Sequence, residues 1–241
     1  MNLRMLTAIL AICGAMNIGA QTSNDTIYVV EDLLPNAVHF LPAPPDSSSA
    51  AFLDDLAQWQ WSKTMASTDR GARASLESRI GPAAMASVMA QVLELDTINA
   101  EQTPAIFQLL AKSLVTGATS TKKPKLEYKR KRPFMVMNEH MLSTWEEEGL
   151  RTNGSYPSGH TIRGWSLTLL LTEINPEAAD TLLARGMMYG DSRVIVGAHW
   201  QSDVDAGRLA ASAAVIRLHT SPAFLEQMAK AQAEFRRLRK K

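Results

Sequence analysis

The stretch "GSYPSGHT", residues 154–161, stands shortly before the apolar run "WSLTLLL", residues 165–171. A proline and a serine ahead of an apolar run are typical of a helix start, with Ser158 as the capping residue. The first amide groups of a helix have no partner within it, so this end of a helix attracts anions. Gly159 allows close approach to the backbone, and His160 follows it. The stretch therefore predicts a buried helix that begins at an anion site.

Helical spacing of apolar residues extends over most of the chain. From residue 51 onward the apolar positions recur with a helical period and do not alternate, and prolines lie near the expected helix starts and breaks. The predicted helical segments are 51–65, 71–94, 104–117, 122–132, 158–174, 177–190, 201–219 and 222–240. We predict an all-α fold, a single-domain helical bundle with long connecting loops.

The beginning of the chain has the features of a secretory signal peptide. Arg4 precedes an apolar run that is too short to span a bilayer, and small residues stand before Gln21. We predict that residues 1–20 are removed on export to the periplasm. A buried N-terminal helix and a lipid anchor at Cys13 are the alternatives, although Ile12 is large for the residue before a lipidated cysteine.

Composition narrows the class of protein. A hydrophobic fraction of 46% is enough for a folded core, and a formal net charge of +1 argues against a nucleic-acid binder. Arg4 is the one charged residue among residues 1–20, and Cys13 is the one cysteine of the chain. The mature chain should therefore carry no net charge and no disulfide, and we expect no stable membrane insertion.

Residues 21–50 should form an extended arm with a short strand at 26–30, ahead of a folded domain over 51–241.

A basic run supplies candidate phosphate ligands. Seven of the eleven residues from Lys122 to Arg132 are basic, and such runs usually form a solvated face. Within the run, Lys125 and Arg132 are seven residues apart, which places both on one face of a helix. Pro133 biases Arg132 away from helical geometry, so the helix should end there.

A third motif, "GDSRVIVGAHWQSDVD", occupies residues 190–205. Arg193 can bind two phosphate oxygens at once. His199 and Asp203 are four residues apart, so on a helix the carboxylate can accept a hydrogen bond from the imidazole and leave its other nitrogen free to attack. The acids of "WEEEG", residues 145–149, are interpreted as a solvated face and not as a metal site.

The three motifs together offer cations for one anion, two histidines and a carboxylate behind one of them. This set suits phosphoryl transfer, in which cations neutralise charge, one histidine attacks and the other carries a proton. Each motif alone has an ordinary explanation: a capped turn, a solvated basic face or a surface His–Asp pair.

The combined pattern Lys-x6-Arg-Pro, Pro-Ser-Gly-His and Ser-Arg-x5-His-x3-Asp resembles the signature of the type-2 phosphatidic acid phosphatase (PAP2) superfamily. "GSYPSGHT" with "GDSRVIVGAHWQSDVD" is similar to its bacterial class A non-specific acid phosphatases, and the resemblance extends from about residue 40 to the C-terminus. It implies an all-helical, metal-independent, often homodimeric hydrolase of phosphate monoesters that needs no cofactor. A phosphohistidine intermediate would also be compatible with phosphotransferase activity.

The resemblance also implies roles for particular residues. His199 looks like the nucleophile, oriented by Asp203, and His160 looks like the acid that protonates the leaving alcohol and then activates water. The phosphate-binding residues would be Lys125, Arg132, Ser158, Gly159 and Arg193. Arg163 departs from the pattern, because a smaller or neutral residue is expected three positions after His160. Such an arginine could alter substrate preference or could simply be solvated.

Several other functions fit parts of the pattern. A vanadate-dependent haloperoxidase shares the three motifs but is usually much longer, and a membrane lipid phosphatase needs several spanning helices. A non-catalytic phosphate-binding protein would need the cations but not two histidines. "GDS" at 190–192 is similar to a serine esterase motif but stands too late in the chain. "DVDAG" at 203–207 is similar to an aspartyl-phosphate motif, which would need Thr or Val in place of Gly207, an early strand and magnesium.

Overall fold

The computed structural model describes residues 26–79 and 89–239. The α-helices are α1 (Ala37–Phe40), α2 (Ala50–Met65), α3 (Asp69–Glu77), α4 (Pro104–Thr119), α5 (Lys122–Tyr128), α6 (Pro133–Val136), α7 (Glu147–Arg151), α8 (Gly159–Ile174), α9 (Ala179–Ile195), α10 (Gln201–Leu218) and α11 (Pro222–Leu238). Short 3-10 helices lie at Glu31–Leu33, Gln91–Leu93, Thr144–Glu146 and Pro176–Ala178. The predicted all-α fold is confirmed for these residues, none of which is in a strand.

Helix α8 is the centre of the bundle. It packs against α9, α10 and α4, and α4 packs in turn against α11. Leu167, Leu170 and Leu171 are almost fully buried, and so are polar residues on other sides of the same helix, Thr161 and Thr168 among them. A helix that is covered on all sides needs no amphipathic pattern, which explains the nearly continuous apolar run. The N-terminus of this helix is thereby held inside the protein.

Close contacts between helices fix the first turn of α8. A Cβ atom on Gly207 of α10 would lie 2.9 Å from the Ser158 carbonyl oxygen and 3.0 Å from Thr161 Cβ. Gly164 of α8 likewise faces the ring of Tyr189 on α9 with no room for a side chain. These glycines let α9 and α10 approach α8 at the end where the predicted anion site lies.

Two of the predicted helices end earlier than expected. The first helix within the segment predicted over 71–94 begins at Asp69 and ends at Glu77; residues 80–88 lie outside the described part, 89–90 are helical as predicted, and 91–93 form a 3-10 turn. The helix predicted over 122–132 ends at Tyr128, because Lys129 takes a left-handed conformation with φ of 45°. Arg132 is extended, as Pro133 predicts, but it precedes α6 and does not lie at the tip of α5. The helical face proposed for Lys125 and Arg132 is therefore wrong.

The N-terminal arm has less regular structure than the rest. The strand predicted at 26–30 is absent, and the described arm contains only the 3-10 turn at Glu31–Leu33 and the single turn of α1. The predicted signal peptide, residues 1–20, and Cys13 within it lie outside the described residues. No helix within 26–79 or 89–239 combines the length and apolar character needed to cross a membrane.

Candidate active site

The predicted helix start at Ser158 is confirmed. Ser158 is fully buried, and its Oγ accepts hydrogen bonds from the Thr161 amide (3.2 Å) and the Thr161 hydroxyl (2.9 Å). Its own amide donates to the Asp203 carbonyl oxygen at 2.9 Å, which ties the start of α8 to α10. The amides of Gly159 and His160, in the first turn, have no acceptor within the helix. The site therefore has fixed backbone donors at the positive end of a buried helix.

His199 lies in the connection between α9 and α10, after a turn in which Gly197 has a φ of 82°. Its Nδ1 lies 3.3 Å from Asp203 Oδ2, and its Nε2 lies 2.9 Å from Arg132 Nη1. This network assigns the proton to Nδ1, which donates to the carboxylate, and leaves a lone pair on Nε2. Burial, followed by the charge of Arg132, holds the pKa of His199 well below its ordinary value, so the ring is neutral and nucleophilic.

His199 and Asp203 pair as predicted, but they do not lie on a shared face of one helix. His199 stands two residues before α10, and Asp203 is the third residue of that helix. The carboxylate reaches back over the helix start, where Oδ2 also accepts from the Trp200 amide at 2.9 Å and from Ser155 Oγ at 2.5 Å. Asp203 is thus a helix cap and the partner of His199 at the same time.

Arg130 and Asp55 support this carboxylate, and the sequence pattern indicated neither of them. Arg130 Nη1 donates to Asp203 Oδ1 at 2.6 Å, and Nη2 donates to Asp55 Oδ2 at 2.6 Å. Asp55 of α2 also accepts from the amide and hydroxyl of Ser202. Burial alone would raise the pKa of Asp203, but His199, Arg130 and Ser155 outweigh it and hold the pKa well below its usual range. The carboxylate therefore stays ionised behind His199.

Two of the three predicted cations have no carboxylate partner in the described part of the chain. Arg132 is 1% exposed and donates to the carbonyl oxygens of Leu150, Asn153 and Ala198 at 3.1, 3.0 and 2.9 Å. Lys125 donates to the Gly154 carbonyl oxygen. Burial, and then the charge of Arg132, lower the pKa of Lys125 to about 7. Both cations thus make their direct hydrogen bonds with neutral groups, and the negative charges of Asp203 on both and of Glu146 on Arg132 act on them without an ion pair.

Arg193 differs from Lys125 and Arg132, because its guanidinium forms an ion pair with a carboxylate. Nη1 and Nη2 of Arg193 each lie 3.1 Å from one oxygen of Glu146, in the two-pronged geometry that a phosphoryl group would use. Glu146 comes from the stretch interpreted as a solvated acidic face, and that interpretation is wrong for it. It is also wrong for Glu147, which is 7% exposed and accepts from the Met141 amide at 2.7 Å.

His160 has two buried ring nitrogens, and neither makes a hydrogen bond of ordinary geometry within 26–79 and 89–239. The ring is 4% exposed and stacks on Tyr189 with centroids 4.7 Å apart and an interplanar angle of 9°. Burial, then the charges of Arg193, His199 and Arg163, hold its pKa well below the ordinary value, against a smaller opposing effect of the Glu77 carbonyl group. A buried imidazole without partners is costly unless a ligand supplies them.

The predicted site residues therefore meet in one place. Arg132 contacts His199 directly, the charge of Arg193 acts on His160, and that of Lys125 acts on His199. Ser192, the serine of the alternative esterase motif, donates instead to Glu77 and to the Met188 carbonyl oxygen. In the part of the chain that the structure describes, no group of three or more His, Cys, Asp or Glu side chains could hold a metal ion.

Comparison with known proteins places this arrangement in a family. The model of the PAP2 superfamily matches residues 103–225, a range that contains every predicted site residue. A non-specific acid phosphatase of Providencia stuartii is 38% identical over 220 residues, which cover 91% of this chain and 88% of the relative. One of Salmonella typhimurium is 38% identical over 83% of this chain and 80% of its own length. An acid phosphatase of Zymomonas mobilis is 32% identical over 83% and 75%. The family predicted from the three motifs is confirmed: the chain belongs to the PAP2 superfamily.

Proposed function

We propose that this protein is an acid phosphatase that hydrolyses phosphate monoesters through a phosphohistidine at His199. The observation that carries the proposal is the neutral imidazole whose Nδ1 faces the ionised Asp203 and whose Nε2 faces Arg132. The similar proteins named as acid phosphatases support the same activity. From the sequence resemblance, the proposal extends to export to the periplasm, a homodimer and an additional phosphotransferase activity.

Substrate binding uses the three predicted cations. The phosphoryl oxygens bind Lys125, Arg132 and Arg193, with the Gly159 amide and the Ser158 hydroxyl at the helix start. Glu146 must release Arg193 as the substrate enters, because two anions cannot share one guanidinium fork. The bound dianion also stabilises the protonated form of His160, whose ring is neutral in the empty site.

Phosphoryl transfer then proceeds in two displacements. Nε2 of His199 attacks phosphorus, the N–P bond forms, and the P–O bond to the alcohol breaks as His160 gives its proton to the departing oxygen. Asp203 balances the positive charge that the phosphorylated ring of His199 acquires. In the second step His160 removes a proton from water, the hydroxide attacks phosphorus, and inorganic phosphate leaves as the N–P bond breaks.

The first test is activity in the presence of a chelator. Buried cations supply the positive charge that a metal ion supplies in other phosphatases, so hydrolysis needs none. We expect an excess of EDTA to change kcat/KM for nitrophenyl phosphate by less than about twofold. A metal-dependent phosphatase assayed in parallel shows that chelation is effective. Loss of turnover that magnesium or zinc restores would contradict the proposed mechanism.

Lys125 predicts a pH limit on substrate binding. With a pKa of about 7 in the empty site, its ammonium form is complete at lower pH and is lost as the pH rises through that value. The substrate is already a dianion there, since its second pKa is about 6. We expect KM to rise by up to about tenfold per pH unit above neutrality, because binding then requires proton uptake.

The matched variant for this pH effect is Lys125→Arg. Its guanidinium keeps its charge over the whole range, so the rise of KM with pH should flatten even if the absolute KM changes. Steady-state kinetics with one monoester across the pH range measure both slopes. Equal slopes for the two proteins would mean that another group causes the pH dependence.

A further inference from the structure

Arg163 is a cation of the site that none of the proposed steps uses. It lies on α8 three residues after His160, and residues at this spacing are neighbours on a helix surface. Its Nη1 is 3.9 Å from the position that a Cβ atom of Gly159 would take. Its charge lowers the pKa of both Lys125 and His160. The guanidinium therefore lies at the first turn of α8, beside the predicted proton donor.

Nothing in the described part of the chain compensates this charge. Arg163 makes no hydrogen bond or ion pair there, whereas its neighbours in the site all do: Arg130 with Asp55 and Asp203, Arg132 with carbonyl groups, and Arg193 with Glu146. The side chain is half-buried, and burial lowers its pKa from the ordinary value. A partly desolvated guanidinium without a partner is a ready binding site for an anion.

Its place in the helix decides which part of the substrate it meets. In an in-line displacement the attacking and leaving atoms lie on opposite sides of phosphorus. In the proposed steps His199 takes the attacking side and His160 the leaving side, which puts the neighbour of His160 on the side of the alcohol that departs. The phosphoryl oxygens already have Lys125, Arg132 and Arg193.

We propose that Arg163 binds an anionic group carried by the leaving alcohol, so that the enzyme prefers phosphomonoesters with a second negative group, either a carboxylate or another phosphoryl group. This inference rests on the proposed phosphatase function and adds a substrate class to it. A neutral alcohol leaves the guanidinium unpaired, whereas an anionic one satisfies it with charge-assisted hydrogen bonds.

The test uses three substrates whose leaving alcohols share a two-carbon skeleton and differ in charge: hydroxyethyl phosphate, with a neutral alcohol, and phosphoglycolate and ethylene glycol bisphosphate, with anionic ones. We expect the ratio of kcat/KM for an anionic substrate to that for hydroxyethyl phosphate to fall about tenfold in Arg163→Gln, the loss of one charge-assisted contact. Arg163→Lys should restore part of the ratio. Arg237→Gln, which removes an exposed arginine on α11, should keep the ratio of the wild type.

Each pattern of results decides the question. A fall with both anionic substrates supports a general anion subsite, and a fall with one alone identifies which group Arg163 binds. An equal loss on all three substrates would make Arg163 a ligand of the scissile phosphoryl group and would overturn the inference. An unchanged ratio would also overturn it.

A binding measurement separates this inference from the proposed function. Phosphonopropionate and propylphosphonate carry the same phosphonate group with and without a carboxylate, and neither can be hydrolysed. Calorimetry should show that the wild type binds phosphonopropionate more tightly than propylphosphonate. In Arg163→Gln the ratio of the two dissociation constants should be about tenfold smaller. If the wild type hydrolyses no monoester, the proposed function fails, and this preference alone then supports or overturns the anion subsite.

Discussion

Replacing His199 with alanine will remove the phosphoenzyme and lower kcat on the order of 10⁵-fold or more, as expected for the loss of a nucleophile. Nε2 of the imidazole lies 2.9 Å from the Arg132 guanidinium, whose other hydrogen-bond acceptors in the described ranges are backbone carbonyl oxygens. No other side chain in the described ranges forms hydrogen bonds with both Arg132 and Asp203. The loss should therefore be similar for every phosphomonoester, whatever alcohol leaves.

Rapid quenching with a monoester labelled in its phosphoryl group measures this directly. The wild type should yield protein-bound label that is labile in acid and stable in base, and His199→Ala should yield none. Asp203 keeps its ion pair with Arg130 in the variant, so the network behind the ring has a remaining partner. His199→Asn, which fills more of the site, should be equally inactive.

The matched control is His219→Ala. This histidine is partly exposed and pairs with Glu173 at 2.9 Å, at the C-terminal end of α10 and away from the proposed catalytic residues. Its removal should leave the phosphoenzyme and kcat near those of the wild type. Label trapped on His199→Ala would show that another residue is the nucleophile.

The sequence was sufficient for the fold class and for the choice of candidate residues that lie together in the structure, because both depend on local patterns. The apolar run after His160 predicted the buried helix, and Ser158 predicted its first residue. The pair of His199 and Asp203 was found from their spacing, although the geometry is that of a helix cap and not of a helical face. The end of α5 was missed because a left-handed residue at Lys129 has no signal in a basic run.

The residues that the sequence pattern did not indicate, Asp55 and Glu146, pair with residues that are far away in the sequence. Asp55 reaches Arg130 over 75 residues, and Glu146 reaches Arg193 over 47. A single acid in an amphipathic or acidic stretch has the same appearance whether it is solvated or paired, so only the packing of α2 and of the 3-10 turn at Thr144–Glu146 reveals these contacts. The consequence for the proposed function is that Arg193, one of the proposed phosphate ligands, has a carboxylate partner that the substrate would displace.

The effect of replacing His160 should depend on the leaving group, in contrast to that of His199. An alkyl alcohol needs a proton as it departs, whereas nitrophenolate is a stable anion and hardly needs one. In His160→Ala we expect phosphoenzyme formation to slow on the order of 10³-fold with hydroxyethyl phosphate and by about tenfold or less with nitrophenyl phosphate. Single-turnover kinetics with both esters measure the two rates.

Stacking between His160 and Tyr189 makes a second variant necessary, because alanine leaves a cavity beside a buried ring. His160→Phe keeps an aromatic ring there and removes both nitrogens. If the two variants share the same dependence on the leaving group, the cause is the lost proton and not the altered packing. Activation of water should fail in both, so nitrophenyl phosphate should give a rapid burst of nitrophenolate followed by slow turnover, with phosphohistidine accumulating. Equal losses on both esters, or no accumulation of the intermediate, would remove His160 from the role of proton carrier and leave its two unpaired nitrogens as binding groups for the phosphoryl oxygens.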